Sequence, residues 1–486
     1  AAVIDAEGAL SYGELAAQAH RFANALRDHG FAPESRVMLC LLDTRDFPIA
    51  FLGSILAGVV PIAVNTLLTT KDFDFMLRDS RAQGLVVSHA LLPAFTPLIG
   101  AIPTLRTVVV SGGEPGTHAS LSHWLQGASD VQHVADTCSD DICFWLYSSG
   151  STGSPKGTVH LHSHLIQTAE LYARPVLGLR EDDVVFSAAK LFFAYGLGNA
   201  LTFPMSVGAT AVLLHERPTP AAVWHMLRTH QPTVFCGVPT LYASLLADAA
   251  APPRDALALR VCTSAGEALP ADLGRRWTSR YGSEILDGIG STEMLHIFLS
   301  NRPGHVRYGT TGRAVPGYQL RLVDDEGRDV GDGEIGELLV SGPSAALMYW
   351  NHRARTKATF CGEWTRSGDK YQRNDDGTYT YAGRTDDMLK VGGIYVSPFE
   401  VEAALMTHAA VLEAAVIGMQ DDDGLVKPKA YVVLKAGQPA DVGALQQHVK
   451  AQLAPYKYPR WIEFLPELPK TATGKIQRFR LRQLQG

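Results

Sequence analysis

Residues 147–157 read YSSGSTGSPKG, with the apolar run ICFWL at 142–146 before them and TVHL at 158–161 after them. Two short hydrophobic strands thus flank a loop of small hydroxylated residues. Gly150 and Gly153 let the chain turn tightly, and the hydroxyls of Ser148, Ser149, Ser151, Thr152 and Ser154, with the free N–H groups between them, suit a ring around phosphate oxygens. Lys156 adds a cation at the exit. The loop is not the G-x-x-x-x-G-K-[ST] phosphate motif: Pro155 stands where the second glycine belongs and Gly157 where the hydroxyl belongs. A merely flexible Gly/Ser hairpin would explain the polarity but not a lysine fixed beside a proline.

The surrounding sequence supplies a frame for that loop. Ser11, with Glu14 three residues on, forms a capping box before Leu15, Ala19, Phe22 and Leu26 at helical spacing, and Gly30 is the stop. Short β-branched runs at 36–42, 84–88, 107–111, 209–214 and 233–237 then alternate with amphipathic helical patterns, which predicts α/β layering on mostly parallel sheets. From about Gly312 glycine-punctuated strands take over, predicting a β-rich subdomain. The segment 383–393, GRTDDMLKVGG, reads as a polar connection, and Ser397, Pro398 and Glu400 open a second capped helix. Strands at 411–418 and 429–434, a helix near 441–453 and a strand near 460–465 complete a small α+β unit. The expected division is a large domain over 1–385 and a small one over 386–486.

Of the 486 residues 46% are hydrophobic and 19% charged, which excludes a disordered or coiled-coil chain. Lys and Arg number 43 against 49 Asp and Glu, a net charge of −6, so no basic footprint for nucleic acid is present. Cys40, Cys138, Cys143, Cys236, Cys262 and Cys361 form no C-x-x-C pair and read as reduced thiols of a cytoplasmic protein. The uncharged runs 47–64 and 191–214 are broken by Pro48, Pro61, Gly196, Gly198, Pro204 and Gly208, as buried strands and helices are and membrane spans are not. Gly331, Gly333 and Gly336 spell G-x-G-x-x-G, but Asp332, Glu334 and Glu337 would repel a pyrophosphate. His160, His162 and His164 alternate with no thiol or carboxylate to complete a metal site, and read as structural. No G-x-S-x-G nucleophile elbow occurs. The chain starts at Ala1 and reads as lacking an N-terminal segment.

Three more motifs carry small residues after apolar segments: TSAGEAL at 263–269, DGIGSTE at 287–293 and, near the end, PKTATGKIQR with Lys475 in a Gly-supported loop. Taken in order with SGDK and YAGRTDDMLKVGGIYVSPFEVE, these stretches resemble the adenylate-forming superfamily of acyl-CoA synthetases, luciferases and peptide-synthetase adenylation domains, from Leu10 to Leu484. The segments AAKLFFAYGLGNALTFP at 188–204 and GIGSTEMLHIFLSN at 288–301 look very close to the benzoate-CoA ligases. The resemblance implies two half-reactions. A carboxylate attacks the α-phosphorus of ATP to give an acyl-AMP and pyrophosphate, and the thiolate of coenzyme A then displaces AMP.

The same resemblance assigns roles. Ser148, Ser149, Gly150, Ser151, Thr152, Gly153 and Lys156 would hold the β- and γ-phosphates, Thr292 the α-phosphate, and Glu293 a Mg²⁺ ion. Gly266, Glu267, Ala268, Asp287, Gly288 and Ile289 would line the adenine site, and Asp369 and Arg384 would meet the ribose. A surface pair remains the alternative reading of Glu267 and Lys156. Lys475 would bridge the carboxylate and the α-phosphate. Ala194, Tyr195, Gly196, Ala265, Gly290, His296 and Ile297 would enclose a flat aryl ring, with Phe192 and Phe193 as ordinary core. Positions 191–199 hold no acid for an amino acid's ammonium, which argues against a peptide-synthetase domain. Because Lys475 and the Gly392–Gly393 loop sit on separate parts of one small domain, rotation about Asp386 is expected, after which Gly392 and Gly393 line the path of CoA. An aryl-acid adenylating enzyme that loads a carrier protein's phosphopantetheine is the alternative. The expected partners are an aryl carboxylate, ATP and CoA, with neither nucleic acid nor membrane, in a monomer or homodimer.

Overall fold

The computed structural model describes residues 1–148, 155–385, 387–391, 394–421, 425–470 and 476–484, with 390, 394 and 395 described by backbone alone. The N-terminal capping box forms as its sequence dictates: Glu14 N–H donates to Ser11 Oγ at 3.2 Å, and Ser11 N–H donates to the Glu14 carboxylate at 2.8 Å. The helix Tyr12–Asp28 buries Leu15, Ala19, Phe22 and Leu26. Two large sheets carry most of the remaining strands up to Ala314, with Met348–Tyr349 joining one of them. In the eight-stranded sheet, Val60–Ala63, Arg36–Cys40, Gly84–Ser88 and Thr107–Ser111 run parallel. Every residue of Val60–Ala63 and Gly84–Ser88 is buried, as expected where helices cover both faces of a parallel sheet. Ile142–Ser148 joins Val60–Ala63 in parallel and turns back into the antiparallel strand Lys156–Leu161, with Met348–Tyr349 at the edge.

The nine-stranded sheet has Val184–Ser187, Val234–Gly237, Val261–Ser264 and Glu284–Gly290 as parallel neighbours. Glu284–Gly290 is followed by a tight turn into antiparallel Ile297–Ser300. The apolar run 191–214 folds as the helix Ala194–Leu197, a π-helical turn Gly198–Thr202, the helix Phe203–Val207 and the strand Thr210–Val212, which joins the nine-stranded sheet beside Val184–Ser187. Gly208, at φ 79°, ends the second helix where a residue with a side chain would be strained. Leu191, Phe192, Leu197 and Leu201 pack with Phe47, Phe51 and Phe144 in one core. Among the described residues no helix is long and apolar enough to cross a membrane.

Strand Arg313–Ala314 belongs to the nine-stranded sheet, so the β-rich part starts later than the glycine pattern suggests, at Gln319–Val323. That strand pairs with Ile335–Ser341, and Trp364–Arg373 then links Ile335–Ser341 to Tyr379–Arg384 and Phe360–Cys361 in an antiparallel sheet. Within the expected polar connection 383–393, Leu389–Val391 is a strand paired with Ile394–Val396, with Leu389, Val391 and Val396 buried in the last core. That core contains the helices Pro398–Met406 and Val442–Gln452 and the strands Val411–Gln420, Val426–Leu434 and Trp461–Phe464. Ser397 caps the first helix, accepting from Glu400 N–H at 3.1 Å.

The C-terminal helix Arg478–Gln483 is fixed by charge. Arg478 Nη2 lies 2.7 Å from both carboxylate oxygens of buried Glu402, and Glu402 Oε1 also accepts from Val416 N–H at 2.7 Å. Removing one member of a buried pair leaves the other uncompensated. Arg478→Met should therefore destabilise this unit by about 3–5 kcal/mol. Amide hydrogen exchange should show it as lost protection in Pro398–Met406 and Val411–Gln420 with the two large sheets unchanged.

Candidate active site

The C-terminal ends of parallel strands converge where the two large sheets meet, the position at which open α/β sheets bind ligands. Ser148 and Lys156 face each other in register at the ends of Ile142–Ser148 and Lys156–Leu161, so both stand at the base of the Gly/Ser loop. Ser149, Gly150, Ser151, Thr152 and Gly153 lie outside the described residues. Lys156 Nζ stands 3.4 Å from Tyr349 Oη, 4.4 Å from the centre of its ring and 3.9 Å from Glu293 Oε1. Tyr349 Oη donates to Glu293 Oε1 at 2.7 Å. Burial pushes the Lys156 ammonium below its ordinary range, against the opposing pull of Glu293, and pushes the Tyr349 hydroxyl well up.

Glu293 and Thr292 sit in a turn after Glu284–Gly290 that several hydrogen bonds hold. Thr292 O accepts from Leu295 N–H at 3.2 Å and lies 2.8 Å from His160 Nε2; Glu293 O accepts from Ala346 N–H at 2.7 Å. Ser344 Oγ donates to Met294 O at 2.7 Å. Leu295 is held at φ 64°, a conformation that a bulky L residue adopts only under constraint.

On the other side of the same turn is a packed cluster of uncharged side chains. Tyr195 Oη lies 2.5 Å from Thr263 Oγ1, and burial raises its pKa well above the ordinary phenol value. The His296 ring packs against Phe203, Tyr172 and Tyr195 at centroid distances of 4.4, 5.2 and 5.7 Å, and its Nε2 lies 3.4 Å from Tyr195 O. Burial depresses its pKa to about 3, so it is a neutral wall. A Cβ on Gly290 would fall 2.5 Å from His296 O and one on Gly198 2.5 Å from His296 Cδ2, so glycine at 290 admits the His296 backbone and glycine at 198 admits its ring. Ile297 and Ala265 are buried in the same core cluster, with Tyr195 against it; Ala194 and Gly196 belong to the short helix Ala194–Leu197. Phe192 is buried core and Phe193 packs on it at 4.5 Å between centroids, as expected of them.

The expected nucleotide residues stand nearby in sequence and sheet order. Gly266, Glu267 and Ala268 follow Val261–Ser264, with Gly266 at φ 93°. Asp287, Gly288 and Ile289 lie on the adjacent strand Glu284–Gly290. Asp287 is buried with Oδ1 unpartnered among the described residues, and burial pushes its pKa up from the ordinary carboxylate value. Asp369 and Arg384 are cross-strand partners whose side chains meet at 3.1 Å. Asp386, Gly392, Gly393 and Lys475 lie outside the described residues. The loop that carries Lys475 is closed at its base by a bridge between Lys470 and Ile476.

A family model described as AMP-binding enzyme matches residues 1–350, and the corresponding C-terminal domain model matches 400–475. The chain belongs to the AMP-binding enzyme family. It is 63% identical to the benzoate–CoA ligase of Thauera aromatica over 99% of this chain and 92% of that one. It is 52% identical to the 4-hydroxybenzoate–CoA/benzoate–CoA ligase of Rhodopseudomonas palustris over 99% and 90%. The crystal structure of a benzoate CoA ligase from Burkholderia xenovorans LB400 superposes with a TM-score of 0.93 at 56% identity, covering 99% of this chain and 96% of that one. The architecture described above is the adenylate-forming fold of these AMP-binding enzymes.

Two residues of this AMP-binding enzyme's site carried no signal in the sequence. Tyr349 is 56 residues from Glu293 and His160 is 132 from Thr292, and no spacing rule links such positions. Three buried histidines give the site a measurable acid sensitivity. His160, His164 and His296 are pushed by burial to about 3, 4 and 3, below the unfolded value near 6.5. The unfolded chain therefore binds more protons below pH 6.5, and stability present above that pH is lost as pH falls toward 4. Each histidine contributes a slope of up to about 1.4 kcal/mol per pH unit. Urea unfolding at pH 7.5, 6 and 5 should show this decline, and His296→Phe should make it shallower.

Proposed function

We propose that this AMP-binding enzyme joins benzoate, or a benzoate with a small ring substituent, to coenzyme A through benzoyl-AMP, releasing AMP and pyrophosphate. The observation that carries the reading is the turn 290–297. One side of it walls an uncharged aromatic slot with Gly290, His296 and Ile297, and the other presents Thr292 and Glu293 beside Lys156. A flat acid placed in the slot has no cation to satisfy it there, so its carboxylate is directed out toward the phosphate side. The close relatives named above as CoA ligases favour free CoA over a carrier-protein thiol as acceptor.

The chain's own groups divide the first half-reaction among them. The loop from Ser148 to Gly153 and Lys156 bind the β- and γ-phosphates through amides, hydroxyls and charge. Thr292 steadies the α-phosphate, and Gly266, Glu267, Ala268, Asp287, Gly288 and Ile289 hold the adenine. Asp369 and Arg384, already paired, receive the ribose hydroxyls. Glu293 offers one carboxylate with an oxygen fixed by Tyr349, a donor set that suits Mg²⁺, which takes one or two carboxylates and completes its shell with phosphates and water. When bound, that ion supplies charge neutralisation at the phosphates. Lys475 brings its cation to the carboxylate and α-phosphate as negative charge crowds there, so its effect belongs to the transition state.

The second half-reaction needs the leaving AMP approached by a thiolate. The small unit from Asp386 onward turns about that residue, withdrawing Lys475 and bringing Gly392 and Gly393 to the path of the pantetheine arm. Residues 1–385 and 386–486 are the two bodies of this motion. Asp387 is tied by a short ion pair to Arg482 of the C-terminal helix, so the pivot falls before it.

Benzoate-dependent exchange of pyrophosphate into ATP and CoA-dependent AMP formation test the activity directly; a chain that did neither with benzoate or its hydroxy and amino derivatives would refute it. Lys475→Ala should slow adenylation by about 10² or more and leave thioester formation from supplied benzoyl-AMP largely intact. Gly393→Leu should do the reverse, sparing pyrophosphate release and blocking transfer to CoA.

A further inference from the structure

His160 belongs to the eight-stranded sheet, and its imidazole crosses to the catalytic turn of the nine-stranded one. Its Nε2 lies 2.8 Å from the carbonyl oxygen of Thr292, and its Nδ1 lies 3.0 Å from Nδ1 of His164. A carbonyl can only accept, so His160 carries its proton on Nε2. A neutral imidazole has one proton, which leaves Nδ1 of His160 as an acceptor and makes Nδ1 of His164 the donor. The longer approach of Leu161 N–H to His164 Nδ1, at 3.4 Å, is then no hydrogen bond. Packing fixes the ring as firmly as the bonding does. Phe144, the cross-strand neighbour of His160, stacks on it at 5.2 Å and 18°, and the His164 ring meets it edge-on at 5.3 Å and 78°. Both histidines are buried.

We propose that His160 is a positioning residue for adenylation: oriented by His164, it holds the Thr292 carbonyl and thereby sets where the Thr292 hydroxyl and the Glu293 carboxylate stand. The inference rests on the roles given above to Thr292 and Glu293. The held carbonyl is the one that closes the strained turn onto Leu295 N–H, so losing the histidine donor frees the turn at its most constrained point. Among the described residues neither histidine ring has a hydrogen bond or ring contact with the residues given to the aryl ring. Binding of benzoate is therefore untouched while the geometry of the reacting groups is lost.

The test compares His160→Leu, which keeps bulk and removes the donor, with His160→Gln, whose amide N–H can reach the same carbonyl. The Leu variant should lower kcat for benzoate-dependent pyrophosphate exchange by between about 10-fold and 100-fold, with KM for benzoate within about twofold of the wild type. Thioester formation from supplied benzoyl-AMP should stay at the wild-type rate, and the Gln variant should recover most of the exchange rate. A wild-type kcat in the Leu variant, an equal loss in both half-reactions, or a Gln variant as slow as Leu with unchanged melting would each overturn the proposal. If the Leu variant does not fold, the Gln variant's half-reactions and the histidine ring ¹⁵N spectrum of the wild type decide it. The spectrum must show His160 protonated on Nε2 and bare on Nδ1, and His164 protonated on Nδ1; the opposite tautomer at His160 overturns the proposal. A wild type that exchanges no pyrophosphate with aryl acids refutes the functional reading instead, and the ring spectrum still reports on the hydrogen bond.

Discussion

The turn that carries Thr292 and Glu293 is built on one sheet and held by the other. Its own strand delivers it only as far as Gly290, where the ladder with Ile297–Ser300 shifts register. Beyond that point Leu295 at φ 64° costs on the order of 1–3 kcal/mol, and such a conformation persists only if its surroundings over-determine it. The surroundings here are the hydrogen bonds from His160, Ala346, Ser344 and Tyr349, and the segment carrying the last three is itself paired to Lys156–Leu161 through Met348–Tyr349. The site is thus a clasp between two sheets. Charge placed at Glu293 is positioned by elements that do not belong to Glu293's own strand.

Such a clasp matters for chemistry that runs through crowded anions. A carboxylate, a triphosphate and a glutamate repel one another, and only fixed cations and dipoles make their approach tolerable. Lys156 meets Glu293 through Tyr349 before any nucleotide arrives, and Asp369 meets Arg384 across a strand pair. Groups that are already oriented need no reorganisation when the ligand charges appear, so their effect is spent on the reacting geometry. The aryl side uses the opposite logic. Burial holds His296 neutral and raises the Tyr195 phenol, so under the proposed function these residues would offer the ring shape without charge.

Local structure was legible in the sequence wherever the information is local. Ser11 with Glu14, and Ser397 with its downstream Glu400, cap their helices because a cap depends on neighbours within one turn. The runs at 84–88 and 107–111 are strands with the bounds their β-branched residues imply. The segment 383–393 misled because polar residues outnumber apolar ones there, yet Leu389 and Val391 alone, on one strand face, suffice to seat a hairpin in the last core. Motif resemblance reached further in giving Asp369 and Arg384 one shared place, and these meet across a strand pair, whereas the pairing of Lys156 with Glu293 was not foreseen. What escaped was the bracing. Tyr349 lies in an unremarkable edge strand and His160 in an alternating histidine run whose bland reading, structural packing, is correct as far as it goes.

That last case shows how a structural and a functional role can be the same contact. His160 is buried, stacked and neutral, the features of a core residue. Its hydrogen bond, however, is not made to its own sheet but to the peptide between Thr292 and Glu293. A carbonyl held from both sides, by Leu295 N–H and by an imidazole N–H, fixes the plane of that peptide. Holding that plane restricts ψ of Thr292 and φ of Glu293, and so narrows the directions open to the two side chains proposed for the phosphate and its counterion. The rigidity of the turn is thus supplied from across the sheet boundary.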